Sequence, residues 1–252
     1  GVTATNNRAR IEGGAVYRYG YPDESSVIDS TTLDGNFAED ASAAAHAGGL
    51  YHHTDTPGVM PLYLSNSTIS NNTSANSAGG MFFHNSPVEL TNVTVVGNSA
   101  LDSLAGGIAV NGVSGTFRNC TIANNHADDT DSFAGAMTGA ESLNIINTII
   151  AGNTGGNEWN PVSCTDTAGS GSNNLQWPDQ QGSGQDDTPC VSGITLADPL
   201  LGPLQDNGGP THTMALREGS PAIGAGSDCP ETDQRGVARD NGCDIGAYQH
   251  ED

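Results

Sequence analysis

Lysine is absent from this chain. The seven basic residues are all arginine and stand against 29 aspartates and glutamates, so that the formal net charge is −22. A nucleic-acid partner needs a basic surface that neutralises phosphates, and an anionic membrane surface makes the same demand. The charge therefore argues against both partners. It favours a soluble, self-repelling surface, with divalent-cation binding as the alternative.

Large side chains and long apolar runs are also scarce. Aromatic residues make up 5% of the chain, while glycine supplies 34 of its 252 residues. We therefore expect a narrow, repetitive interior of small residues instead of a conventional core. No apolar run approaches the roughly 18 residues of a membrane span. The start, GVTATNNRAR, contains no apolar leader segment, so we expect a processed or truncated start.

Two short signatures recur in the same order along the first 153 residues. The first is a segment that closes on asparagine, as in NSTISNN, NVTVVGN, NCTIANN and NTIIAGN, and the second is a glycine pair followed by apolar residues, as in AGGLYH and AGGMFF. The closing asparagines are Asn7, Asn36, Asn72, Asn98, Asn125 and Asn153. The signature of leucine-rich repeats is missing. Alternating Val, Ile and Thr indicate short strands.

Two apolar columns, five positions apart, pass through these copies. One contains Ile28, Leu64, Leu90, Phe117 and Ile145, and the other contains Leu33, Ile69, Val95, Ile122 and Ile150. Because the spacing is odd, one straight strand cannot bury both columns, and the chain must bend between them. The bend falls at asparagines that tolerate turn conformations and could pair their amides from turn to turn: Asn66, Asn92, Asn119 and Asn147. The sequence therefore predicts an all-β parallel β-helix of about five coils over residues 1–153.

The last third of the chain carries a different set of motifs. Residues 154–195 form a region rich in Gly, Ser and Asp that we expect to pack on the last coils. After it come DPLLGPL, DNGGPTHT, GSPAIGAG, DQRG and CDIGAY in close succession. This part resembles the closing segment of bacterial choice-of-anchor Q domain proteins, and the repeats before it are similar to those of polymorphic outer-membrane proteins.

The resemblance implies a right-handed β-helix that is secreted or displayed on the bacterial cell surface. It also implies that residues 196–252 cap the C-terminal end of the helix. It supplies no catalytic residues.

Five cysteines fit an oxidising compartment. We expect Cys164 to pair with Cys190 and Cys229 with Cys243, because each pair closes a local loop outside the repeat, and the second pair gives the C-terminal cap a disulfide. Cys120 is left over. It stands in a repeat strand where the other copies carry Thr, Ser or Val, so we expect a small packed side chain.

One acidic loop is a candidate for calcium. Asp128, Asp129 and Asp131 could offer several carboxylate oxygens to Ca²⁺, and a solvated loop is the alternative.

Two histidines occupy equivalent positions after the glycine pairs. We expect His53 and His84 to stack in neighbouring coils, with Arg18 and Asn111 in the same column. Since this column offers too few ligands for a metal ion, we interpret it as a plain surface stack.

Evidence for an enzyme is weak. A β-helical lyase needs a calcium cluster and a basic residue that abstracts a proton, and a hydrolase needs two facing carboxylates. Arg118 is the only arginine on a clear repeat strand, and the acidic residues of the coils are scattered. Common nucleophile, metalloprotease and phosphate-loop motifs are missing. We therefore expect no enzymatic activity and no required cofactor.

The first seven residues, GVTATNN, align with NSTISNN, so the first coil begins at a corner without a cap. Exposed strand edges recruit other strands, and head-to-tail contacts that do not close build filaments. We expect self-association through this coil, or earlier coils in a longer chain. The prediction is an extracellular structural or adhesive β-helix whose partners include extracellular polysaccharide or a host surface. A polysaccharide-binding or polysaccharide-cleaving β-helix is the alternative.

Overall fold

The structure is a computed structural model that describes residues 1–21, 24–40, 46–56, 61–102, 105–130, 134–157, 162–181, 184–240 and 242–251. Within them the chain winds into a parallel β-helix of about six turns, with three parallel sheets along its length. One 3₁₀ turn, Ala140–Ser142, is the sole helix of the described part. The predicted all-β parallel β-helix is therefore confirmed.

The largest sheet bends along its whole length, and we call it the bent sheet. Its twelve strands are Thr3–Thr5, Ser26–Asp29, Thr32–Asp34, Leu62–Ser70, Val88–Val96, Gly115–Arg118, Thr121–Ala123, Leu143–Ile146, Ile149–Ala151, Ser170–Ser172, Leu175–Trp177 and Thr195–Leu196.

The other two parallel sheets have one strand per turn. The broad sheet consists of Val16–Tyr19, Leu50–His53, Met81–His84, Ile108–Asn111, Ala134–Thr138 and Val162–Cys164. The narrow sheet consists of Arg8–Ala9, Phe37–Ala38, Thr73–Ser74, Ser99–Ala100, His126–Ala127 and Thr154–Gly155.

The bend in the largest sheet lies at the predicted asparagine column. Asn66, Asn92, Asn119 and Asn147 have φ between 47° and 54°, in the left-handed region that asparagine tolerates better than most residues. Side chains of a strand normally alternate between its two faces. One residue in the left-handed conformation interrupts this alternation, so the residues after it face the opposite side from the one that strict alternation predicts. Both apolar columns therefore face the interior, where Leu64 and Ile69 are 1% and 0% exposed.

The continuous amide ladder lies at the closing asparagines instead of at the bend. Each of Asn36, Asn72, Asn98 and Asn125 donates from its side-chain Nδ2 to the Oδ1 of the next closing asparagine over 2.8–3.0 Å, ending at Asn153. The corner asparagines pair only as Asn92 with Asn66 and Asn147 with Asn119. The amide of Asn66 also donates to Asp29 at 2.9 Å, while those of Asn92, Asn119 and Asn147 donate to the C-terminal third of the chain.

The glycine pairs allow close approach of neighbouring turns. A Cβ on Gly79 would lie 2.4 Å from the carbonyl oxygen of Gly106 and from the amide nitrogen of Ser99. Such distances are too short for any side chain, so the small residue is required by backbone packing.

The helix has one turn more than the predicted five. The extra turn ends in Leu175–Trp177, which pairs in parallel with Ile149–Ala151. Gln176 takes the place of Ile150 in this register and is fully buried. Because this polar residue interrupts the apolar column, the sequence pattern ends one turn too early.

Polar groups close the end of the last turn. Asp187 is 6% exposed and accepts bonds from the Ser163 amide at 2.8 Å and from Gln176 and Gln181 at 2.9 Å. Val191 packs into the main apolar core beside the Cys164–Cys190 disulfide. The C-terminal end of the interior is thereby covered.

Residues 197–251, which we call the flanking segment, lie along the side of the helix and reach back over several turns. The Thr211 hydroxyl donates to the carbonyl oxygen of Asn66, 145 positions earlier, at 3.0 Å. Gln234 accepts from Thr94 at 2.7 Å, and the Ala247 amide donates to Thr121 at 3.1 Å. An antiparallel hairpin within the segment, Leu201–Gln205 with Thr213–Leu216, adds apolar packing.

His52 is buried inside the first turns, where most other positions are apolar. Its Nε2 lies 2.7 Å from the Ser86 hydroxyl, and its Nδ1 lies 3.3 Å from the carbonyl oxygen of Arg18. Burial, together with the Arg18 charge, lowers the pKa of His52 to about 4.

We expect this histidine to make the fold sensitive to acid. As the pH falls below the ordinary histidine value of about 6.5, the unfolded chain takes up a proton that the folded chain refuses until about pH 4, so the free energy of unfolding falls. The loss should be on the order of 3 kcal/mol, at about 1.4 kcal/mol per pKa unit. Urea unfolding between these pH values measures it. His52→Leu should flatten the dependence, and His212→Gln, at an exposed site, should not. Equal slopes for His52→Leu and the wild type would contradict this assignment.

Candidate functional site

Ring side chains are concentrated on the outer side of the broad sheet. Strand registry places Tyr17, Tyr51 and Phe82 in one column across three turns. The same registry aligns Tyr19, His53 and His84 in a second column. We call this surface the ring face, and its members are Tyr17, Tyr19, Tyr21, His46, Tyr51, His53, Phe82 and His84.

The register of the first strand sets this arrangement. Val16 pairs with Leu50, so Ala15 lies opposite Gly49, whereas an alignment of the two glycine pairs would place Gly14 there. Tyr19 therefore pairs with His53, and Arg18 pairs with His52. The prediction that Arg18 shares the column of His53 was wrong for this reason, while His53, His84 and Asn111 do share it.

The rings are close enough to form one continuous surface. Centroids of neighbouring rings lie 5.5 Å apart for Tyr17 and Tyr51, 5.6 Å for Tyr51 and Phe82, and 5.1 Å for His53 and His84. Tyr19 meets His53 edge-on at 5.5 Å. These separations are within the usual range for aromatic pairs.

The ring face has a buried floor and an exposed upper layer. Tyr51 and Phe82 are only 4% and 5% exposed, with the His46 ring about 5 Å from both. Tyr17 and Tyr21 are 48% and 59% exposed. The floor explains why the layer is rigid, and the upper rings offer apolar surface to a ligand.

Carboxylates surround these rings. Asp55 accepts a bond from the Tyr19 hydroxyl at 2.6 Å and lies 3.2 Å from Nε2 of His53. Burial, reinforced by the charges of Glu12 and Asp55, raises the pKa of Tyr17. The tyrosines are therefore neutral, hydroxyl-bearing rings in a field of negative sign.

His46 and His84 do not add positive charge to the ring face at neutral pH. Burial and the neighbouring imidazoles lower the pKa of His46, and burial and His53 lower that of His84. Arg18 points inward, with Nη1 3.4 Å from Nδ1 of His52.

Chemically, this surface is suited to binding. Aromatic faces stack on flat apolar surfaces, including the CH faces of sugar rings, and tyrosine hydroxyls, imidazoles and a carboxylate supply hydrogen bonds beside them. The site could not be found by matching the glycine pairs of the sequence, because that alignment sets the first strand off by one residue. The spacing of Tyr17, Tyr19 and Tyr21 by two residues was the available signal, since alternate residues share one side of a strand.

The predicted calcium loop lies far from this surface in sequence. Asp128 accepts from the Ser99 hydroxyl at 2.7 Å and pairs with His126 at 2.9 Å. Asp129 is described, whereas Asp131 lies outside the described residues. Among those residues, no group of three or more His, Cys, Asp or Glu side chains could hold a metal ion. Calcium binding here stays a prediction.

The cysteines pair as Cys164 with Cys190 and Cys229 with Cys243. Cys120 is free and fully buried, and burial raises the pKa of its thiol to about 12. Such a thiol is a packed side chain with little reactivity.

No protein-family model, curated protein or solved structure matches the chain. Within the described residues, none of the helical structure is long or apolar enough to span a membrane. The ring face is therefore the feature of the molecule that points to a function.

Proposed function

We propose that this chain is an extracellular adhesive β-helix that binds surface polysaccharide through the ring face. The observation that carries the proposal is the continuous layer of rings, in which Tyr17 and Tyr21 are the most exposed. A chain with only 5% aromatic residues places four of its six tyrosines on this one surface. Exposed apolar patches of this kind mark interaction sites.

Further support concerns location. Two disulfides fit an oxidising compartment, and the motifs DNGGPTHT and CDIGAY resemble those of bacterial surface β-helices. The ring face extends over the first three turns of the helix, which offers contacts to more than one unit of a polymer. In this proposal the protein binds surface polysaccharide and does not cleave it.

Equilibrium binding to insoluble polysaccharides of several kinds tests the proposal. Depletion of the protein from solution gives the dissociation constant for the wild type and for the double variant Tyr17→Ala and Tyr21→Ala. We expect the double variant to bind its polysaccharide about tenfold more weakly or worse, since each stacked ring contributes about 0.5–1.5 kcal/mol beyond area burial.

Tyr63→Ala is the matched control, because Tyr63 is 43% exposed on the bent sheet, away from the ring face. It should leave the dissociation constant unchanged. Binding that survives the double variant, or that Tyr63→Ala weakens equally, would refute attachment through the ring face.

Self-association is a second candidate, favoured by the first turn. Val2 and Val27 are 63% and 71% exposed there, and with Ala4, Val16 and other residues they line a depression of about 440 Å³. Contact with a further turn would bury these side chains and pair the outer strand edges. Sedimentation velocity tests this idea. Association that Val2→Asp with Val27→Asp abolishes would support it, and a single-chain species at every concentration would refute it.

A further inference from the structure

Among the described residues, the ionised side chains that act on the Tyr17 and Tyr51 hydroxyls are carboxylates, and His53 faces one of them, Asp55. Glu12 and Asp55 lie close enough to Tyr17 and Tyr51 to act on both hydroxyls. Asp55 is exposed, with 73% of its side chain accessible. Arg18, the arginine of this sheet, is directed into the helix toward His52. An anionic ligand would therefore meet repulsion, and a cationic group would be attracted.

The rings themselves add to this preference. The face of an aromatic ring carries negative charge density and attracts an ammonium group placed over it within about 6 Å. Tyr17 and Tyr21 expose such faces, and Tyr19 lies between them in sequence with its ring 5.0 Å from that of Tyr21. A ligand with both an apolar face and an ammonium group would use both properties of the surface.

Asp55 can accept further hydrogen bonds. Its Oδ2 takes the bond from Tyr19 and its Oδ1 lies beside His53, while a carboxylate offers about four acceptor positions. The two existing contacts fix the orientation of the carboxylate at the edge of the rings. A bound ammonium group could therefore reach a positioned acceptor.

The positions of the exposed rings suggest the shape of the ligand. Equivalent residues of successive turns recur about 4.8 Å apart along the helix axis. Tyr51 and Phe82, which follow Tyr17 in its column, are buried, so the most exposed rings, Tyr17 and Tyr21, both lie in the first turn. A linear polymer would therefore reach both rings by lying along the first strand, across the helix axis.

We infer that the ligand of the ring face is a polysaccharide with free amino groups, a cationic amino-sugar polymer. This inference rests on the proposed function and narrows its ligand class. The sugar rings stack on Tyr17 and Tyr21, and an ammonium group pairs with Asp55. A neutral polymer would use the rings and leave the carboxylates unused.

Calorimetric titration of the full chain with two soluble oligomers tests the inference. One is a six-residue glucosamine oligomer, and the other is the N-acetylated oligomer of the same length. Slightly acid buffer keeps the amines charged, and about 0.15 M salt suppresses long-range attraction. We expect the free-amine oligomer to bind at least tenfold more tightly. Asp55→Asn should weaken its binding about tenfold or more, since it removes the negative charge that pairs with the ammonium group.

Asp102→Asn is the matched control, because it removes the same charge at an exposed site on another surface. Equal losses in the two variants would reveal non-specific attraction to an acidic protein and overturn the inference. Equal affinity for both oligomers would identify a neutral ligand and also overturn it. A lysine hexapeptide that binds as tightly as the free-amine oligomer would favour a basic protein segment and contradict the amino-sugar assignment.

The same set of measurements separates this inference from the proposed function. If neither oligomer binds while an insoluble polysaccharide still binds through Tyr17 and Tyr21, the amino-sugar inference fails and the adhesive function stands. If no polysaccharide binds at all, both fail.

Discussion

Replacing Asn98 with alanine is expected to lower the free energy of unfolding by about 3–5 kcal/mol, because buried polar groups lose their partners. The Asn98 side chain is completely buried. Its Oδ1 accepts from the backbone amide and from Nδ2 of Asn72, both at 3.0 Å. Its Nδ2 donates to the carbonyl oxygen of Ile69 and to Oδ1 of Asn125, both at 2.9 Å.

Urea unfolding followed by circular dichroism measures this effect. Asn7→Ala provides the control, since Asn7 is exposed at the end of the same ladder and donates to Asn36 alone. Asn7→Ala should lower the free energy of unfolding by less than about 1 kcal/mol, as most surface substitutions do. Similar losses for the two variants would mean that the ladder does not hold the turns together.

Asp233→Ala is expected to release the flanking segment from the helix. Asp233 is 1% exposed and forms a short ion pair with Arg235, at 2.8 Å. It also accepts from the backbone amides of Arg235, Val237 and Gln249 over 2.8–3.0 Å. Removing Asp233 leaves three backbone amides without their acceptor and leaves Arg235 with only the exposed Glu251 as a counter-charge, at a cost of about 3–5 kcal/mol.

Hydrogen exchange read by mass spectrometry localises the loss. Amides in residues 197–251 should lose protection, while those of the strands Leu62–Ser70 and Val88–Val96 keep most of theirs. Asp240→Ala is the control, because Asp240 is exposed in the same segment. Unchanged protection in the flanking segment of Asp233→Ala, or uniform loss along the whole helix, would contradict this role.

The turns of the helix could be predicted from the sequence because their constraints are local and repeated. The apolar positions that Leu64 and Ile69 occupy recur in the copies, always five residues apart. Asn66, which lies between these two positions, is a residue that tolerates the left-handed bend. Repetition disappears at Gln176, whose polar side chain is satisfied by Asp187 and by Thr188 and Cys190. A buried polar residue with tertiary partners cannot be distinguished from a loop residue by periodicity.

The path of the flanking segment could not be predicted for a different reason. Its motifs are local, but their bonds are not: Gln234 contacts Thr68 across 166 positions and Thr94 across 140 positions. No repeating sequence pattern indicates that such distant residues contact each other. The ring face was hidden because Gly14 and Ala15, and not Gly13 and Gly14, lie beside the glycine pair of the next strand, so matching the glycine pairs displaces Tyr17 and Tyr19 by one place.

The central claim is that the ring face is where the protein holds its ligand, and photo-crosslinking tests it most directly. A polysaccharide oligomer carrying a photoreactive group is bound to the wild-type chain, irradiated and mapped by mass spectrometry. The account predicts adducts on Tyr17, Tyr19, Tyr21 or His53. Adducts confined to Tyr63 or Trp177, both exposed elsewhere on the helix, would contradict it.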